Sequence, residues 1–274
     1  MMTTEEKIQM LLGKQRYDFE DLIVLVEVLR SEQGCPWDRE QTHVSIRKDL
    51  IEETYEVIEA IDTENSELLR EELGDVLLQI VFHAEIETEK KIFDIHDVAN
   101  DVCAKLIHRH PHVFGTVEAE TTDKVLSNWE KIKSEEKSRK TVTDKLRSIP
   151  PMLPALMRAE KVGKKAKCFD FSNADEVMDK VCEELTELSE AMLVEDQVQI
   201  EEEMGDLLLS ITSLCRQLKI DPEIALNRAT DKFIDRFEVI ETALIREGRS
   251  LENTDSVTLN RIWDENKHKN SQKK

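Results

Sequence analysis

The chain has 274 residues, with 59 acidic against 38 basic side chains, a formal net charge of −21, seven glycines, six prolines and 5% aromatic residues. So negative a protein disfavours a nucleic-acid polymer or an anionic membrane as its main partner. No run approaches the ~18 apolar residues of a membrane span, MMTTEEKIQM lacks the basic flank and apolar core of a leader, and Cys35, Cys103, Cys168, Cys182 and Cys215 form no CxxC pair, so the expectation is a cytoplasmic protein with reduced thiols.

Scarce glycine and proline among abundant Glu, Leu, Lys and Ile, with no alternating strand pattern, predict an all-α fold. An opening helix over about 19–31 leads into SEQGCPWDREQT, where Gly34 and Pro36 act as breakers. An acid-rich helix follows at LIEETYEVIEA (50–60), then a short connection, then a strongly apolar helix containing REELGDVLLQI (70–80), then one or two further helices. KSRKTVTDKLRSIPPMLP, ending at Pro154, reads as a linker. Beyond it a helix over about 153–167 precedes VCEELTELSEA (181–191) and EEEMGDLLLSI (201–211).

These last two segments repeat the earlier pair at a single offset of 131 residues, from 50 to 181 and from 70 to 201. Solenoid units span roughly 20–50 residues, so a repeat of this length is a duplicated domain. The expected organisation is an N-terminal domain over 1–137, a linker over 138–152, a C-terminal domain over 153–265 and a polar tail over 266–274.

Helical geometry places residues i and i+3 on one face. In the first acid-rich helix Leu50, Thr54, Val57, Ile58 and Ile61 form the expected buried stripe, flanked by Glu53 and Glu56, while Glu52 and Glu59 point further out. In the next helix Leu73, Val76, Leu77, Leu78, Ile80, Val81 and Phe82 surround the axis and predict burial on nearly all sides. Yet Glu72, Asp75, Gln79 and His83 share one strip of it, as Glu203, Asp206, Ser210 and Ser213 do in the second half. An ionised carboxylate in such surroundings is costly unless it is paired or bound to a metal. The inner acids give two sets of four, Glu53, Glu56, Glu72 and Asp75, then Glu184, Glu187, Glu203 and Asp206. All-oxygen sets of this kind suit Mg2+, with Mn2+ as a substitute. Gly74 and Gly205 lie between the acids, where they leave room for a neighbouring helix or a ligand at a helix penalty of about 1 kcal/mol. A single ExxE is ordinarily a solvated face with salt-bridge partners. Four acids, two on an apolar helix and all repeated at one offset, favour metal.

The pattern Glu52-Glu53-x-x-Glu56 with Glu72-x-x-Asp75, and Glu183-Glu184-x-x-Glu187 with Glu203-x-x-Asp206, resembles the all-α nucleoside triphosphate pyrophosphohydrolases in their two-domain MazG-type form. GCPWDREQT, RHPHVFG and LPALMRAEKV extend the likeness over nearly the whole chain. The resemblance implies tandem duplicated helical-bundle domains of the all-α NTP pyrophosphatase type. It also implies Mg2+-dependent hydrolysis of NTPs and dNTPs to monophosphate and pyrophosphate, broad base specificity, a homodimer and a housecleaning or stress role. It leaves room for a regulatory protein partner.

Clustered carboxylates can hold one or two ions that polarise the phosphate and acidify water, or one acid can serve as general base, with Glu56 and Glu187 as the candidates. Lys105 with Arg109, and Lys232 with Arg236, stand at i, i+4 and would hold the remaining phosphates, although such pairs are also common surface stripes. Trp129 in NWEKIK and Trp263 in IWDENK recur beyond those pairs, either to stack on a base or to pack in a core or interface. The spacing of His108, His110 and His112 around Pro111 suits loop packing or phosphate contact better than zinc. Lys180 stands where the first half has Asp49, which makes the second half the better site for a triphosphate and leaves metal binding as the expectation for the first. Two rival readings differ in class. A di-iron carboxylate protein would carry Glu-x-x-His at its paired acids, and none of the eight inner acids has a histidine three residues after it. A non-enzymatic acidic helical adaptor predicts neither nucleotide turnover nor stabilisation by divalent ions.

Overall fold

In the computed structural model all regular structure among the described residues, 2–119, 121–136, 141–166 and 171–271 with side chains to Asp264, is helical. Helix starts follow from short polar side chains that accept the free N–H groups of a first turn. Thr3, Asp18, Asp94 and Thr141 each form a reciprocal capping box. Asn65, Asn173, Asp196 and Asp221 accept from first-turn amides in the same way.

The chain divides into two units, Met1–Lys133 and Ser134–Lys274. The first contains α1 (Thr4–Leu12), α2 (Phe19–Arg30), α3 (Pro36–Glu40), α4 (Arg47–Asp62), α5 (Ser66–Glu89), α6 (Ile95–Arg109), α7 (Pro111–Phe114) and most of α8 (Thr122–Glu136). The second contains α9 (Val142–Arg147), α10 (Ala155–Lys165), α11 (Ala174–Val194), α12 (Gln197–Gln217), α13 (Pro222–Arg246), a 3-10 turn at Leu251–Asn253 and α14 (Ser256–Ser271).

In the N-terminal unit Val26, Ile46, Val81, Phe82, Ala84, Ile86 and Ile95 form the core, joining α2, α5 and the starts of α4 and α6. Arg30 fastens the breaker loop to this core. Its guanidinium donates to both Glu89 oxygens at 2.6 and 2.9 Å and to the carbonyls of Asp38 and Gln41 at 2.7 and 3.1 Å, and it lies over the Phe82 ring at 5.1 Å. A side chain on Gly34 would overlap the carbonyls of Val28 and Leu29, so the chain can leave α2 this tightly only with glycine there. In the C-terminal unit Val177, Leu188 and Ala191 of α11, Thr212 of α12, and Ile240 and Leu244 of α13 are buried.

Several expectations are corrected. On α4 Ala60 is buried and Leu50, Val57 and Ile58 are half-buried, but Thr54 and Ile61 are exposed. The apolar helix α5 is not covered on all sides: Val81 and Phe82 are buried while Leu73 is 51% exposed, with Leu77 and Ile80 also open. Its neighbours α2, α4 and α6 cover only part of its circumference. Nor, among the described residues, does anything outside the glycine's own helix close on Gly74 or Gly205, since a Cβ at either position would meet nothing within 4 Å. Helix α9 falls within 138–152 and packs on α10, and α14 runs to Ser271. Residues 137–140 and Cys168 lie outside the described residues.

Candidate functional site

The strongest helix pair in each unit carries the acids, α4 with α5 and α11 with α12. In the N-terminal unit the i, i+3 spacing turns Glu53 and Glu56 of α4 toward Glu72 of α5, which is 8% exposed. One oxygen from each of these three lies within 4.8 Å of the others. Carboxylates this close penalise one another's charge. Burial, then the charges of Asp75 and Glu56, hold the Glu53 carboxyl above its ordinary range, and burial followed by Glu56 does the same to Glu72. Asp75 stands outside the tight group but acts on both. One turn further along α5 the Gln79 Oε1 is buried without a hydrogen-bond partner among the described residues.

The C-terminal unit repeats the arrangement with Glu184, which is 5% exposed, Glu187 and Glu203, again with oxygens within 4.8 Å. Here a cation is already present: Lys180 Nζ donates to Glu184 Oε1 and Glu183 Oε1, each at 2.8 Å. Those bonds hold the ammonium pKa above its usual value. Burial and then Glu184 raise Glu187, and Lys180 partly opposes them. Asp206 is exposed and outside the tight group. An all-oxygen donor set that draws an ammonium to a buried carboxylate fits a hard divalent ion.

Downstream, the structure joins each candidate arginine to its candidate tryptophan. The buried Arg109 lies over the Trp129 ring at 5.4 Å, with Lys133 over the same ring at 4.5 Å. Arg236 lies over Trp263 at 5.8 Å, beside the tilted Phe233 ring at 5.1 Å. Each ring thus carries one of the protein's own arginines. Lys105 and Lys232 are exposed one turn before the arginines. Around Pro111, His110 Nδ1 meets the Leu106 carbonyl at 2.6 Å and its ring tilts against His112, which packs a helix end.

One constellation was not foreseen. His43, on the turn before α4, meets His83 of α5 at 2.7 Å between Nδ1 atoms, and its Nε2 lies 2.6 Å from Glu87 Oε1. The rings are nearly parallel at 7° with centroids 5.0 Å apart. That separation is the N···N distance plus about 1.1 Å on each side from centroid to nitrogen, so the rings meet edge to edge in an N–H···N bond. Burial and then the His43 charge hold His83 below its ordinary pKa. Forty residues separate the two histidines, and no periodicity links a turn residue to a helix so distant.

A family model for the MazG nucleotide pyrophosphohydrolase domain matches the chain twice, over residues 41–114 and 172–240. The chain belongs to the MazG nucleotide pyrophosphohydrolase family. Each MazG match contains one complete carboxylate cluster and one of the two arginines, whereas Trp129 and Trp263 lie beyond them. Among curated MazG relatives, a nucleoside triphosphate pyrophosphohydrolase/pyrophosphatase MazG from Thermotoga maritima is 45% identical over 251 residues, covering 91% of this chain and 95% of its own. A nucleoside triphosphate pyrophosphohydrolase from Escherichia coli K12 is 42% identical over 247 residues, covering 88% and 94%. The uncharacterised YabN of Bacillus subtilis is 39% identical over 92% of this chain and 52% of its own.

Proposed function

We propose that this MazG-family chain hydrolyses NTPs and dNTPs between the α and β phosphates, releasing a monophosphate and pyrophosphate, with Mg2+ as its ion and Mn2+ as a substitute. The observation that carries the reading is one carboxylate cluster built twice, in a chain aligned over 91% of its length with a relative named as a nucleoside triphosphate pyrophosphohydrolase. Glu184, Glu187 and Glu203, with Asp206 beside them on α12, are the holders of the ion in the C-terminal unit. Glu53, Glu56, Glu72 and Asp75 have that role in the N-terminal one. When bound, such an ion neutralises phosphate charge and acidifies water.

The protein's own groups do the rest. Where one acid serves as general base in place of an ion ligand, Glu187 and Glu56 are the candidates. Lys180, Lys232 and Arg236 supply cations for the phosphate chain, and Trp263 holds Arg236 in place. Recognition through phosphates is indifferent to the base, consistent with broad specificity and a housecleaning role in the cytoplasm. The open apolar stripes on α5 and α12 support a homodimer.

The test is a product analysis with Mg2+ across all NTPs and dNTPs. Monophosphate and pyrophosphate are expected, with turnover falling at least about 100-fold in Glu203→Gln/Asp206→Asn. Diphosphate and orthophosphate would overturn the assignment of the cleaved bond.

A further inference from the structure

The two clusters share three acids at one offset but differ four residues before the first of them. Asp49 precedes Glu53, whereas Lys180 precedes Glu184. In the N-terminal unit the neighbouring Lys48 pairs with Glu52, both exposed and outside the tight group. In the C-terminal unit Lys180 Nζ is bonded at 2.8 Å to Glu184, a member of the group and 5% exposed, and at 2.8 Å to the exposed Glu183. One design thus exists with and without a cation of its own.

An oxygen lone pair that accepts from an ammonium cannot serve a metal at the same time, and an ammonium beside a divalent ion is repelled by it. Lysine is suited to give way, being a point charge on a flexible four-carbon stem. Resting on the hydrolase reading above, we propose that Lys180 is the resident counter-ion of the Glu184–Glu187–Glu203 cluster, yields its place to a divalent cation, and moves onto the phosphate chain of the nucleotide. Until then it neutralises acids that would otherwise repel one another across α11 and α12. While bonded to Glu184 it is withheld from phosphate, so metal and nucleotide reinforce each other's binding through one side chain. Asp49 cannot do this, and the N-terminal cluster holds its ion without an exchange.

The test counts Mn2+ on the full chain without nucleotide, from the EPR signal of the free ion, in a Glu53→Gln/Glu72→Gln background that leaves the C-terminal cluster as the site observed. Lys180→Met is expected to bind Mn2+ about fivefold more tightly, the worth of one partly exposed ion pair, and to raise the KM for ATP. Unchanged or weaker Mn2+ binding in Lys180→Met overturns the exchange and leaves the metal site standing. Mn2+ binding unaffected by Glu203→Gln would remove the site itself, and with it both readings. A second measurement needs no substitution: the Lys180 ammonium resonance in 1H–15N spectra of the unaltered chain should shift or vanish when Mg2+ is added. A resonance unmoved at saturating Mg2+ also overturns the exchange.

Discussion

Glu85 has its chemistry altered by its surroundings. It lines a cavity of about 200 Å3 together with Glu27, Asp94 and His96, over the apolar Val81 and Ile95. Burial first, then the charges of Glu27 and Glu89, push its carboxyl up to about 7. A folded-state value above the unfolded one means that the folded protein holds the proton more tightly, so stability falls as pH rises from about 4.5 to about 7. Above that window the penalty is present in full. Glu85→Gln is expected to stabilise the N-terminal unit at pH 8 by on the order of 1 kcal/mol, once solvent screening is allowed for, and to be neutral near pH 4. Thermal melts at the two pH values check the sign. No sequence pattern pointed to Glu85, because its neighbours Glu27 and Asp94 come from α2 and the cap of α6. The metal candidates were legible for the opposite reason. Glu53 with Glu56, and Glu184 with Glu187, are paired by helix geometry itself, and only their meeting with Glu72 and Glu203 required the fold.

At the scale of elements, periodicity and the breakers at Gly34 and Pro36 mark out α2, α4 and α5, whereas α1 precedes the helix expected to open the chain. What the pattern could not supply was which face finds a neighbour. Leu73, Leu77 and Ile80 avoid water in the same rhythm as Val81 and Phe82, and nothing in their spacing reveals that α2, α4 and α6 cover only the latter. Arg30 shows the same limit in polar form. The last residue of α2, it is 7% exposed and satisfies Glu89 and two loop carbonyls at once. Arg30 is buried but Glu89 is 41% exposed, so losing the guanidinium returns that carboxylate to water and takes the donor from the Asp38 and Gln41 carbonyls. Arg30→Met should cost about 2 kcal/mol in the unfolding transition of the N-terminal unit. Urea denaturation followed by the fluorescence of Trp37, in the loop that Arg30 secures, measures it.

For the molecule as a whole, the exposed apolar residues obey the same offset as the acids. Leu73, Leu77 and Ile80 correspond at 131 residues to Met204, Leu208 and Ile211, and all six are exposed. Each trio follows the i, i+4, i+7 rhythm of a single helical stripe. A stripe kept on both copies of a duplicated domain, each beside a carboxylate cluster, is better matched by a second copy of the chain than by unrelated partners. Charge works against that association, since each copy carries −21. A homodimer formed through these stripes would therefore tighten as salt screens the repulsion, and tighten further as divalent ions neutralise the clusters, whereas a purely ionic interface would loosen with salt. In sedimentation at micromolar concentration the unaltered chain is expected near twice its 31.8 kDa. Leu77→Glu together with Leu208→Glu, which place charge in both stripes, should return it to a single chain length. A wild-type protein that sediments as one chain in 0.5 M salt with Mg2+ would show that the stripes serve something other than self-association, and would leave the carboxylate clusters to be completed within each chain.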